Sequence, residues 1–227
     1  MSAMPDLYTG LIDLGSHTLA VFLVYLLVEA NVWQLPHWRS RRWLLTLIFA
    51  LLTILSLLKG VQLGPGIRID ARYGVLVVAT LTLGPVGGAV VGGVAAMMRL
   101  WAGGMGAVPG VTVLVLLWGL TLVVMRRHRL LGDDDRVQFR SWRAATESAL
   151  VGACAPVVAL TWIDLRHGHH FSVEVYAAIA LTQFLVALVL WFAIQLTMTR
   201  TQALLDLQSS NQALASSFRH TVGALAS

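Results

Sequence analysis

The sequence predicts an all-α membrane protein: a polytopic helix bundle of six to seven spans that leaves through a C-terminal coiled-coil helix. Three observations predict it. Hydrophobic residues make up 57% of the 227 and charged residues 12%, roughly half the charged share of a soluble domain. The apolar residues fall in runs at about 11–33, 43–58, 73–100, 111–125, 145–163 and 174–198, and a bilayer crossing takes about 20 such residues. Lipid offers the backbone no hydrogen bonds, so each run is read as helix.

The spans use up most of the chain, which leaves no room for a separate soluble catalytic domain. The net charge of +5 comes from 15 Arg and one Lys against 11 acids. In a membrane protein that excess reports topology rather than nucleic-acid binding. Cys154 is the single cysteine, so there is no intrachain disulfide and no cysteine cluster for a metal. The N-terminal "MSAMPDLYTG" lacks the basic stretch of a cleaved signal peptide.

The connections set the orientation. Residues 34–42 carry three Arg and residues 126–143 carry six, whereas the chain before the first span carries none. The positive-inside rule therefore puts the N-terminus outside and the first loop inside. If 73–100 crossed once, the six-Arg loop would fall outside. If 73–100 is a hairpin, 11 of the 16 Lys and Arg lie inside. An inside N-terminus with a single crossing scores the same 11, but exports the first three-Arg loop and ranks second.

The hairpin has its own signal. Gly84-Pro85 interrupts 73–100 near its middle, and Pro suits the first turn of a new helix. Gly84, Gly88, Gly92 and Ala96 then recur every four residues, a row that lets two helix backbones approach closely in a membrane. The first arm, 73–83, is about 16 Å long and cannot span alone. It is either extended by residues before 73 or a re-entrant half-helix.

After Arg200 the pattern changes. Leu204, Leu207, Asn211, Leu214 and Phe218 follow the alternating three- and four-residue spacing of a heptad seam, with Asn211 at an a position. The expectation is a cytoplasmic signalling helix over 201–227, distinct from a transmembrane sensor domain over 1–200, that pairs two copies of the chain. A tail lying on the inner membrane surface is the alternative. The seam continues to Ser227, as in the front part of a longer protein.

Candidate site residues lie at the open end of the hairpin. Arg72 begins its first arm and Arg99 leaves its second. An Arg embedded in apolar sequence costs about 2.5–3.5 kcal/mol at mid-membrane, so such charges are usually functional or paired. Two guanidinium forks suit a carboxylate or phosphate. Asp70 would orient Arg72, and Arg68 is a weaker member that the loop could simply solvate. The glycine-rich loop after Arg99, with Gly103, Gly104, Gly106 and Gly110, would let backbone N–H groups approach a ligand. The bland readings are that Arg99 anchors a helix end and that Asp70 only neutralises an Arg.

Other polar residues carry less. Asp13 and His17 share a face of the first span and read as an interfacial pair, with Glu29 further along it. Asp164, His167, His169 and His170 lack the spacing of a zinc site. No nucleophile–base pair is assembled, so no enzyme activity, metal or cofactor is expected. Trp33, Trp38, Trp43 and Trp142 read as an interfacial belt facing membrane lipid.

The stretch "IDARYGVLVVATLTLGPVGGAVVGGVAAMMRLWAGGMGAVPG" resembles the LytS/YhcK-type five-transmembrane receptor domains. They share an acid-x-Arg opening (Asp70, Arg72), a Gly-Pro turn (Gly84-Pro85) and an Arg before a Gly-Gly loop (Arg99, Gly103-Gly104). The resemblance implies a sensor in the bacterial cytoplasmic membrane that feeds a kinase or a cyclic di-GMP enzyme. It also implies a small external carboxylate such as pyruvate, held by Arg72 and Arg99. Small polar side chains assist in those relatives; here "GVTV" offers only Thr112. The tail "SSFRHTVGALAS" is similar to the lead-in helix of HD-GYP phosphodiesterases. A transporter-like binding subunit is the competing function; it would not need the heptad seam.

Overall fold

A computed structural model describes residues 38–58, 61–64, 67–70, 72–104, 106–128, 142–168 and 171–225. Asp13, His17, Glu29 and Trp33 lie outside the described residues, as do His169 and His170. Five helices lie among the described residues: α1 (Trp38–Leu58), α2 (Arg72–Ala102), α3 (Ala107–Arg127), α4 (Trp142–His167) and α5 (Val173–Leu225). Among the described residues four helical stretches, 72–102, 107–127, 142–166 and 173–196, are long and apolar enough to cross a membrane, and Arg42–Leu58 is a shorter apolar helix. The protein is a multi-pass helical membrane bundle, as its apolar runs predict.

One element departs from the all-helical expectation. Between α1 and α2 two short strands, β1 (Val61–Gly64) and β2 (Ile67–Ile69), pair antiparallel, with Gln62 opposite Arg68. The sequence reading leaves 59–72 as a loop. The strands are three and four residues long, too short for the alternation that betrays a strand.

By length α2 looks like a single crossing, but its contacts show a reversal. Gly84 leaves the helical region at φ 75°, and Pro85 starts the second arm. In a straight helix Gly88 would lie about 12 Å along the axis from Thr80. Instead, a Cβ added at Gly88 would sit 2.9 Å from the Thr80 Cα, and one at Gly92 would sit 3.3 Å from the Leu76 side chain. The arms therefore lie antiparallel and in contact. Glycine at 88 is required because the opposing backbone occupies the space of a side chain. Val91, Ala95 and Arg99 continue the buried stripe, with Gly92 and Ala96 half-buried beside it.

Every residue from Arg72 to Leu81 is buried, so the first arm is the centre of the bundle. It begins directly after the β-hairpin and is about 18 Å long. The described residues just before it are strand rather than helix, so of the two alternatives the arm is a half-helix and not one extended by residues before 73. Its last carbonyls need partners that a continuous helix would supply. Arg42 of α1 donates through Nε to Leu83 O at 3.0 Å, and just past the turn Trp118 of α3 donates through Nε1 to Pro85 O, on the second arm, at 3.2 Å. A cation at a helix C-terminus also complements the helix dipole.

The remaining helices pack around this arm. Leu45, Phe49, Leu52, Val113, Leu114, Leu117, Leu190 and Ile194 join its Val75–Ala79 segment in one core. Hydroxyls within the apolar stretches turn back to their own helix: Thr53 to Phe49 O, Thr80 to Leu76 O and Thr121 to Leu117 O. This satisfies them where water is absent.

Candidate functional site

The open end of the α2 hairpin gathers charge inside an apolar bundle. Asp70, Arg72 and Arg99 are 0%, 1% and 3% exposed. Asp70 follows β2 and precedes α2, where its carboxylate does two jobs. Oδ1 accepts the Arg72 backbone N–H at 3.0 Å, capping the half-helix, and lies 3.1 Å from Arg72 Nε. The Arg72 guanidinium carbon stands 5.2 Å from the centroid of the Tyr73 ring, within cation–π range. Tyr73 is itself buried.

Arg99 reaches the same end by the hairpin register. Thr80 meets Gly88 and Leu76 meets Gly92, so Arg72 falls level with Ala96, and Arg99 is one turn beyond. Its Nε donates to Gly106 O at 3.1 Å. Gly110 lies against the same side chain: a Cβ there would come 3.3 Å from Arg99 Nε and 3.4 Å from its Cγ.

The glycines of this loop thus divide. Gly106 and Gly110 shape the space around Arg99. Gly103 and Gly104 form the turn, at φ 64° and 82°. The Gly103 N–H is bonded back to Arg99 O and Leu100 O, and an added Cβ at Gly103 would meet nothing within 4 Å. Thr112 lies half-exposed on α3 with its hydroxyl on Val108 O at 3.0 Å. Arg68 is in β2, and its side chain lies outside the described residues.

Three atoms of this cluster are buried without a hydrogen-bond partner among the described residues: Asp70 Oδ2, Arg72 Nη1 and Arg72 Nε, the last of which has only its ion-pair contact with Asp70 Oδ1. Each is a strong hydrogen-bonding group, and leaving one unsatisfied is costly. Chemically, two guanidiniums and one carboxylate leave a net charge of +1 in a water-poor setting.

Gln183 is the site residue that sequence reasoning missed. It lies on α5, is 0% exposed, and uses both ends of its amide. Nε2 donates to Asp70 O at 2.6 Å, and Oε1 accepts the Gly74 N–H at 3.2 Å. The available signal was a Gln in the middle of the apolar run 174–198.

The opposite end carries a different cluster. His128 Nε2 and Glu147 Oε2 are 3.0 Å apart, with Arg127 Nη1 3.9 Å from the same oxygen. Near the α4–α5 connection, the Tyr176 hydroxyl donates to Asp164 Oδ2.

A multi-pass helical bundle with buried arginines at the open end of a helical hairpin defines a membrane protein with a charged site inside its apolar core. The family model "5TMR of 5TMR-LYT" matches residues 26–201, and the chain belongs to this five-transmembrane receptor family. No curated protein and no solved structure matches it. The chain is accordingly a membrane sensory domain.

Proposed function

We propose that this sensory domain binds a small anion from outside the cell, a carboxylate such as pyruvate, between Arg72 and Arg99. The observation that carries the reading is the buried Asp70–Arg72–Arg99 cluster, in which Asp70 Oδ2 and Arg72 Nη1 have no hydrogen-bond partner among the described residues. Intramembrane ionisable residues are expensive and mark function by default. A surplus of one positive charge suits a monoanion, which an Arg fork grips bidentately. Asp70 holds Arg72 in place, and the start of the half-helix adds its positive dipole end.

In this reading the hairpin's open end faces outward, with Arg42, Arg126, Arg127 and Arg143 on the cytoplasmic side. Binding would favour one packing of the hairpin over another, as any ligand-driven change requires. Signal would leave through α5, about 80 Å long. Leu204, Leu207, Asn211, Leu214 and Phe218 are all exposed on it, a seam for a parallel homodimer. The output, a kinase or a cyclic di-GMP enzyme, would lie outside this chain.

The test is calorimetric titration of pyruvate and acetate into the purified chain in lipid nanodiscs. Binding should be lost in Arg99→Gln and in the paired variant Asp70→Asn/Arg72→Gln, which removes the buried charges together. If both variants bind as tightly as the parent, the site lies elsewhere.

A further inference from the structure

Gln183 is an isolated amide in an apolar helix. A buried amide without partners costs about 1–3 kcal/mol by protein mutational data. Here both partners are backbone groups of one short segment, Asp70 O and Gly74 N–H. Gly74 is in the first turn of the half-helix, where backbone N–H groups have no helical partner. Gln183 therefore supplies part of the cap that Asp70 begins. A second observation ties the same two elements together. A Cβ at Gly74 would come 3.1 Å from Val186 Cγ1 and 3.5 Å from Gln183 O. α5 is thus packed closely on the first turn of the half-helix: the Val186 side chain would be crowded by any other residue at 74, and the Gln183 carbonyl would be in van der Waals contact with it.

The rest of α5 makes this contact consequential. It runs unbroken from Val173 to Leu225. Gln183 is thus on the same rigid rod as the exposed exit segment. The rod touches the site at Asp70, whose other end holds Arg72. A shift of Asp70 or of the first helical turn must either move Gln183 or break two buried hydrogen bonds.

We propose that Gln183 is the positioning residue through which the Asp70–Arg72–Arg99 site acts on α5, and so the first link from site to exit helix. This rests on the anion-site reading for its physiological meaning, but the link itself can be tested without a ligand.

The experiment is hydrogen–deuterium exchange on the full chain in nanodiscs. It compares the parent, Arg99→Ala, Gln183→Met and the double variant. Methionine keeps the length and volume of glutamine and removes both hydrogen bonds. In the parent background Arg99→Ala should change exchange several-fold in 72–76 and in α5 beyond residue 186. In the Gln183→Met background the same substitution should still change 72–76, with the α5 response lost. Gln183→Glu, which keeps the acceptor for Gly74 N–H and loses the donor to Asp70 O, should retain only part of it. An α5 response that is equal in both backgrounds, or absent from the parent, overturns the proposal. Pyruvate titration of the parent chain separates the two readings. Absent binding with an intact α5 response refutes the ligand and keeps the link. Binding with a response indifferent to Gln183 keeps the ligand and refutes the link.

Discussion

Two charged clusters occupy opposite ends of this bundle with nearly the same chemistry and opposite surroundings. At one end Asp70 and Arg72 pair at 3.1 Å with side chains 0% and 2% exposed, and Arg99 is buried beside them. At the other, Glu147 meets Arg127 and His128 with side chains 36%, 73% and 17% exposed. The first cluster is walled in by a half-helix, a glycine-shaped loop and Gln183. The second sits at the join of α3 and α4, where solvent screens it. An ion pair alone therefore says little about function. What distinguishes the first cluster is burial together with polar atoms that have no hydrogen-bond partner among the described residues.

Mutation should break that contrast most strongly at Arg72. Arg72→Ala strands a buried carboxylate, and removing one partner of a buried pair costs about 3–5 kcal/mol. A large fall in thermal midpoint is expected, with much of it recovered in Arg72→Gln/Asp70→Asn, where no charge is left unpaired. An unrecovered midpoint would mean that packing on Tyr73, rather than charge, dominates at this position.

Gly110→Ala should have an intermediate and more selective effect. The new methyl group presses on Arg99, a flexible side chain that can yield. Carboxylate binding should weaken by up to about tenfold, or about 1.4 kcal/mol, while the melting temperature changes little. Unchanged binding would show that Arg99's position against Gly110 is immaterial to the ligand.

The smallest effect is expected at the exposed cluster. Glu147→Gln removes the carboxylate that Arg127 and His128 share, yet exposed ion pairs contribute little to stability. The melt and the carboxylate titration should both match the parent. A marked loss of either would erase the distinction between the two ends.

Much of the architecture was legible because lipid imposes strong rules on composition. Apolar run length set the helices, and Gly84-Pro85 with Gly88 marked the reversal. Arg72 and Arg99 stood out as charges where charge is expensive. Other parts were not legible. The β1–β2 pairing rests on strands of four and three residues, below the length of a readable pattern. Gly103 and Gly104 read like Gly106 and Gly110, because a sequence records a missing side chain but not whether a turn or a neighbour requires it. Thr112 looked available, but in an apolar helix its hydroxyl satisfies itself on its own backbone.

By itself, then, the amino-acid sequence determined a helical membrane bundle, a hairpin at Gly84-Pro85 and two arginines that its turn would bring to one end. These follow from hydropathy and backbone sterics, which act locally along the chain. Only the tertiary structure decided what surrounds those arginines: Asp70 clamped to Arg72, Gly106 and Gly110 against Arg99, and Gln183 reaching across from α5. Asp70 and Gln183 are 113 residues apart, and contacts at that range are selected by packing, which leaves no periodic trace in the sequence.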